Sequence, residues 1–228
     1  MNTIIEYIII ILFHLFFYFF PDKHLKNLND PKCCHYLHNS FFTLHDSFNA
    51  HSHILLPFCF IFIIVLFIAK DTTNPFKLLL PLFVSNITVH LFKLFINKPR
   101  PDILQRINHY YSKLNLDNNV NINDKINILK NSKYQYELLD GYKSFISGHA
   151  SSVFSMLFII GYILYSNKDK INNLNYYLLL VIFIAYFMFA ILCSESRLSD
   201  NKHHHIDIIA GILNGIIVSF YCFGLIHI

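Results

Sequence analysis

The feature that most limits what this chain can fold into is a series of long, nearly uncharged apolar stretches. Hydropathy and helix breakers mark six windows, at approximately 3–20, 53–69, 77–96, 147–165, 175–194 and 205–226. The hydrocarbon core of a bilayer takes about 20 mostly apolar residues per helical crossing. Within it every backbone N–H and C=O must find a partner inside the protein, so only helices or closed barrels span it. The windows lack the polar–apolar alternation of a barrel strand. The expectation is an all-α, polytopic membrane helix bundle of about six transmembrane helices. Charged residues make up 14% of the chain, against roughly 25% in soluble domains. Its 228 residues leave no room for a second large domain, so 1–228 reads as a single domain. The stretch Thr3–Phe20 has neither a positive n-region nor a small-residue cleavage site, which favours a retained first span over a removable signal peptide.

The remaining composition mostly excludes. A net charge of +4 is scattered, with no basic run or interleaved aromatic stripe to bind nucleic acid. Cys33, Cys34, Cys59, Cys193 and Cys222 form neither a disulfide framework nor a zinc spacing and read as packed thiols. Between the windows lie polar connections at 21–52, 97–146 and 194–205. The longest, 97–146, is a polar loop whose Asn-rich insertion at about 115–131 reads as a poorly ordered surface segment.

Counting six spans puts the end of the third, the start of the fourth and the connection between the fifth and sixth on one side of the bilayer. Each carries polar groups that are costly near lipid. In KLFINKPRP, Lys93 and Arg100 are two helical turns apart, and together they can clamp a phosphate dianion. The competing explanation is a pair of cations snorkelling to the interface. In KSFISGHAS, Ser147 and Gly148 open an apolar helix whose free N–H groups favour an anion. His149 then stands at the interface, where an imidazole exchanges protons near neutral pH. A helix cap followed by a satisfied histidine explains the same residues more plainly. In SRLSDNKHHHID, His203 and Asp207 are four apart, so on a helix they share a face and can hydrogen-bond. A carboxylate on one imidazole nitrogen leaves the other free as nucleophile or base. Arg197 adds a third cation. His203, His204 and His205 cannot all face one metal ion from consecutive helical positions, so no metal site and no cofactor is expected.

Together the three segments resemble the type 2 phosphatidic-acid phosphatase superfamily, the lipid phosphate phosphatases. The matching residues are Lys93…Arg100-Pro101, Ile146-Ser147-Gly148-His149 and Ser196-Arg197…His203…Asp207, in the family's order and spacing. The resemblance implies that His203 attacks phosphorus to form a phosphohistidine and that Asp207 orients it. It implies that His149 protonates the departing alkoxide and then activates water, while Lys93, Arg100, Ser147, Gly148 and Arg197 hold the phosphate oxygens. The implied reaction is hydrolysis of phosphatidic acid to diacylglycerol and phosphate, without a metal. Sphingoid-base phosphates and polyprenyl diphosphates are alternative substrates, and a non-catalytic lipid-binding relative is the rival from another class.

The chain departs from the family at Ile146, where the pattern has proline. Proline pre-sets φ at a helix start, so isoleucine is expected to loosen the turn that presents Ser147 and His149 and to slow turnover. The expected partners are a lipid phosphate substrate and the membrane itself, with no nucleic acid and with homo-oligomerisation left open. The resemblance places the protein in the endoplasmic reticulum or plasma membrane with a lumenal or extracellular active site. The count of Lys and Arg in the loops does not decide the orientation.

Overall fold

A computed structural model of the chain describes residues 61–69, 75–116 and 120–226. Among them are eight helices. The first, α1, covers 61–69. It is followed by α2 (Pro75–Phe95), α3 (Ile103–Ser112), α4 (Ile122–Lys130), α5 (Gln135–Asp140), α6 (Gly148–Ser166), α7 (Asn173–Ser199) and α8 (His205–Ile226). The chain is an all-helical membrane protein. Four helices, α2, α6, α7 and α8, are long and apolar enough to cross a bilayer, and they coincide with four of the six windows. The window at 53–69 is described only from residue 61, where it is helical. The window at 3–20 lies outside the described residues. Strand pairing among the described residues is limited to an isolated bridge between Lys98 and Lys143.

Helix α6 forms the axis of the bundle and packs against α8, α7 and α2. Val153, Met156, Ile159, Ile160 and Ile163 on it are fully buried, and Val65 of α1, Leu78 of α2 and Leu179 and Ala190 of α7 pack into the same core. The outer face of α7 faces the other way. Val181, Ile184, Met188 and Leu192 repeat at helical spacing and are each more than half exposed, as suits a helix wall in contact with acyl chains rather than water.

The contact between α6 and α8 is unusually close. A Cβ at Gly211 would lie 2.5 Å from the Ser147 carbonyl oxygen, and one at Gly215 would collide with the Ser151 carbonyl. Two glycines one turn apart thus let α8 lie directly on the backbone of α6, the small-residue packing that membrane helices use in place of hydrophobic drive. Polar side chains fasten the same seam. Asn214 Nδ2 donates to Ser151 Oγ at 2.8 Å, and its Oδ1 accepts Thr88 Oγ1 at 2.9 Å. Ser85 and Ser151 hydroxyls meet at 2.6 Å. Helices α2, α6 and α8 are therefore locked together immediately below their polar ends.

The described residues of the long polar connection are folded, contrary to the expectation of a poorly ordered insertion. Helices α3, α4 and α5 pack around Ile103, Ile107, Tyr111, Leu129, Leu138 and Tyr142. The reason lies in spacing that the Asn content masks. Ile122, Ile126 and Leu129 recur at helical intervals, and the Asn121 side chain caps the helix by accepting from the Asn123 N–H. Residues 117–119 lie outside the described residues.

Candidate active site

Three chain segments meet where α2, α6 and α8 end on one side of the bundle. The first leaves α2. The helix stops at Phe95, four residues before Pro99, in keeping with the bias against helix ahead of proline. Residues 98–100 then run alongside 141–144. The Arg100 N–H donates to the Gly141 carbonyl at 2.8 Å and the Ser144 N–H to the Lys98 carbonyl at 2.9 Å. The second segment is the start of α6. Ser147 is its N-cap, with extended backbone (φ −70°, ψ 112°) and an Oγ that accepts the Ala150 N–H at 3.5 Å. The Ser147 N–H donates to the Asp207 carbonyl at 3.0 Å, which ties this helix start to the first turn of α8. Ile146, in the family's proline position, is fully buried.

The third segment is the turn from α7 to α8. Asn201 sits in the left-handed region at φ 55°, a conformation that Asn tolerates better than most residues. The Asn201 N–H reaches the Leu198 carbonyl and the Lys202 N–H reaches the Arg197 carbonyl. This is the paired hydrogen-bond pattern that closes many helices. It turns the chain sharply, so that Lys202 and His203 leave α7 pointing into the bundle, where both are buried.

His203 differs from the sequence expectation. Helix α8 begins at His205, so the four-residue spacing does not put His203 on a helical face with Asp207. Its Nδ1 lies 2.7 Å from the Ser144 carbonyl oxygen. A carbonyl only accepts, so Nδ1 carries the proton and Nε2 keeps its lone pair. Burial holds the His203 pKa well below the ordinary histidine value, the cations Arg100 and Lys93 push the same way, and the Ser144 carbonyl and Asp207 oppose them only in part. The ring is therefore a neutral imidazole at pH 7.

Asp207 acts on His203 through Ser144. Its Oδ2 accepts the Ser144 hydroxyl at 2.6 Å and the His204 N–H at 3.0 Å, and lies 3.1 Å from His204 Nδ1. Its Oδ1 accepts Lys98 Nζ at 2.6 Å. The carboxylate thus fixes the residue whose carbonyl fixes His203. His203 and His204 take different partners, His203 the Ser144 carbonyl and His204 the Asp207 carboxylate.

The cations gather, but not as two turns of one helix. Lys93 is in the last turn of α2, with Nζ 3.9 Å from where a Cβ on Gly148 would stand, so its ammonium lies over the start of α6. Arg100 lies beyond the helix and is brought in by the 98–100 segment. Its Nη2 donates to Asp140 Oδ1 at 3.0 Å, and its Nε is buried with no hydrogen-bond partner among the described residues. Lys143 contributes a further charge, acting on both Lys93 and Asp140. Arg197 stands in the last turn of α7. It is buried and its Nη2 donates to Asp200 at 2.7 Å, an ion pair within the α7 terminus. His149, on the first turn of α6, is half-buried.

Several of these residues escape sequence reasoning. Lys98, Lys143, Ser144 and His204 stand inside the quoted motifs, and only their proximity to residues with implied roles could have flagged them. Asp102, Arg106 and Asp140 carry no such signal. Asp102 Oδ2 accepts both Arg106 and Lys202, while Arg106 also donates to Asp140. A chain of ion pairs therefore runs Arg100–Asp140–Arg106–Asp102–Lys202, from the end of α2 to the neighbour of His203.

Comparison with known proteins bears on this geometry. The model of the PAP2 superfamily matches residues 74–227. Lipid phosphate phosphatase 1 of Arabidopsis thaliana is 34% identical over 87 residues, covering 38% of this chain and 27% of that protein. Probable lipid phosphate phosphatase 4 of the same plant is 29% identical over 178 residues, covering 75% of this chain and 54% of that protein. The chain spans about half or less of the length of these curated relatives. No solved structure matches it significantly.

Proposed function

The chain belongs to the PAP2 superfamily, and from that premise we propose that it is a lipid phosphate phosphatase whose preferred substrate is phosphatidic acid. The observation that carries this reading is a buried, neutral His203 with Nδ1 anchored on the Ser144 carbonyl and with the cations Lys93 and Arg100 acting on it. A bare imidazole nitrogen beside a cluster of cations is suited to attack a phosphate dianion.

In the proposed reaction, His203 Nε2 forms a bond to phosphorus as the bond to the diacylglycerol oxygen breaks. His149, protonated at that moment, gives its proton to the leaving alkoxide. A water then attacks phosphorus and loses a proton to His149, the P–N bond breaks, and phosphate leaves. Lys93 and Arg100, with Ser147 and the N–H groups opening α6 at Gly148, take the phosphate oxygens as charge develops. Arg197, paired with Asp200, supports the turn that presents His203. The site lies at the helix ends, so acyl chains can remain beside the apolar bundle while the headgroup enters. The proposed setting is a lumenal or extracellular face.

The test is phosphate release from short-chain phosphatidic acid by detergent-solubilised protein with EDTA present, comparing wild type with His203→Ala. Release should be abolished in the variant and insensitive to EDTA. Activity surviving His203→Ala would sink the mechanism, and loss with EDTA would demand a metal. Faster release from a sphingoid-base phosphate or polyprenyl diphosphate would reassign the substrate.

A further inference from the structure

A carboxylate stands among the cations of the proposed phosphate site. Asp140 closes α5 and offers one oxygen to each of two arginines, Oδ1 to Arg100 at 3.0 Å and Oδ2 to Arg106 at 3.2 Å. Burial would raise its pKa, but the charges of Arg100, Arg106, Lys93 and Lys143 outweigh that and hold it below the usual carboxylate value. It is therefore ionised throughout the physiological range.

The two arginines are unlike. Arg106 is held from both sides, by Asp140 and by the buried Asp102. Arg100 donates through Nη2 to Asp140 alone. The Nε of each arginine is buried with no partner among the described residues, so the two differ in their outer nitrogens. A guanidinium has five N–H donors in a rigid fork, and here a substantial part of that fork is unused. Asp140 is a third exposed, so its side chain has room to shift. A phosphate dianion reaching Lys93 and Arg100 meets a carboxylate already on the arginine.

We propose that Asp140 is a tethered competitor for Arg100: it orders the arginine before substrate binds, yields part of the fork to the phosphate, and by its charge limits how tightly phosphate is held. The inference rests on the phosphate-site reading above. Its use is product release, since a cluster of cations with no such carboxylate would retain inorganic phosphate more strongly than turnover allows.

The experiment measures binding of inorganic phosphate and of orthovanadate to the full detergent-solubilised chain, together with kcat and KM on short-chain phosphatidic acid. A dianion about 6 Å from a unit charge in a water-like dielectric changes affinity by about tenfold. Asp140→Asn should therefore bind phosphate about tenfold more tightly and show a lower KM, with kcat unchanged or reduced. Unchanged or weaker binding in a folded Asp140→Asn protein would overturn the proposal and leave Asp140 a mere prop for Arg100. If the Asn variant fails to fold, Asp140→Ser removes the same charge and is judged by the same two outcomes. Arg100→Ala separates the two readings. If it leaves phosphate binding intact, the phosphate site itself is misplaced. If it weakens binding while Asp140→Asn does not strengthen it, only the competition fails.

Discussion

Gly211→Ala should damage catalysis more than its size suggests, because the added methyl meets backbone and an alanine methyl, with no flexible side chain to push aside. Its Cβ would lie 2.5 Å from the Ser147 carbonyl oxygen and 3.2 Å from Ala150 Cβ. Ordinary contact begins near 3.4 Å, so α6 and α8 must part by about 0.9 Å, an overpacking cost of about 1–3 kcal/mol. Ser147 is the N-cap of α6, precedes Gly148 and His149, and donates its N–H to the Asp207 carbonyl. The displacement therefore falls directly between the α6 residues of the site and those of α8. A misplacement of this size can cost up to about a hundredfold in rate, so kcat/KM for lipid phosphate hydrolysis should fall about 10- to 100-fold. Two other glycines of α8 supply the controls. Gly215→Ala meets the Ser151 carbonyl one turn deeper and should lose comparable stability with a smaller loss of rate. Gly224 has nothing within 4 Å of its Cβ position, so Gly224→Ala should be neutral or slightly stabilising, by up to about 1 kcal/mol from helix propensity. Melting temperature in detergent and phosphate release, measured for all three, decide the matter. If Gly211→Ala melts and turns over like Gly224→Ala, the close crossing does not set the site geometry.

The depressed His203 pKa has a definite sign. The folded protein favours the neutral ring, so its contribution to stability is complete above pH 6.5, the unpaired value, and is lost as pH falls through the folded value. The His203 ring should titrate below the usual histidine range, and an imidazole NMR resonance that titrates near pH 6.5 in the wild type and is missing from His203→Ala would contradict the assignment. Ser144→Ala removes the buried hydroxyl that donates to Asp207 at 2.6 Å but keeps the carbonyl that holds His203. Loss of a hydrogen bond to a carboxylate costs about 1.5–3 kcal/mol, so thermal stability should drop while some activity persists; complete inactivation of a folded variant would show that the hydroxyl acts in the chemistry itself. Ile146→Pro should raise turnover by stiffening the start of α6, and kcat at or below wild type in well-folded protein would count against that role for the family's proline.

The membrane class was fully legible in the sequence, because the need to satisfy backbone groups in lipid leaves helices as the outcome for long apolar stretches. Convergence of the motif segments was also legible, since counting spans fixes which ends share a side. Helix formation within the long polar connection was visible in principle at Ile122, Ile126 and Leu129, but asparagine-rich composition obscured it.

What the sequence by itself determined about this protein was the fold class, that its polar groups meet on one side, and the residue types present there. Tertiary structure decided how those groups are connected. The His203–Asp207 spacing suggested a direct pair, yet the helix begins after His203, and the carboxylate instead reaches it by way of Ser144, 59 and 63 residues earlier in the chain. Lys93 and Arg100 share a site because residues 98–100 fold onto 141–144, not because they lie two turns apart. Asp140 takes Arg100 through a cap assembled from three short helices. Periodicity can report which face of one helix a side chain occupies, but it carries no information about partners contributed by other segments. Those depend on where backbones pass closest, and here the glycines of α8 allow that closest approach.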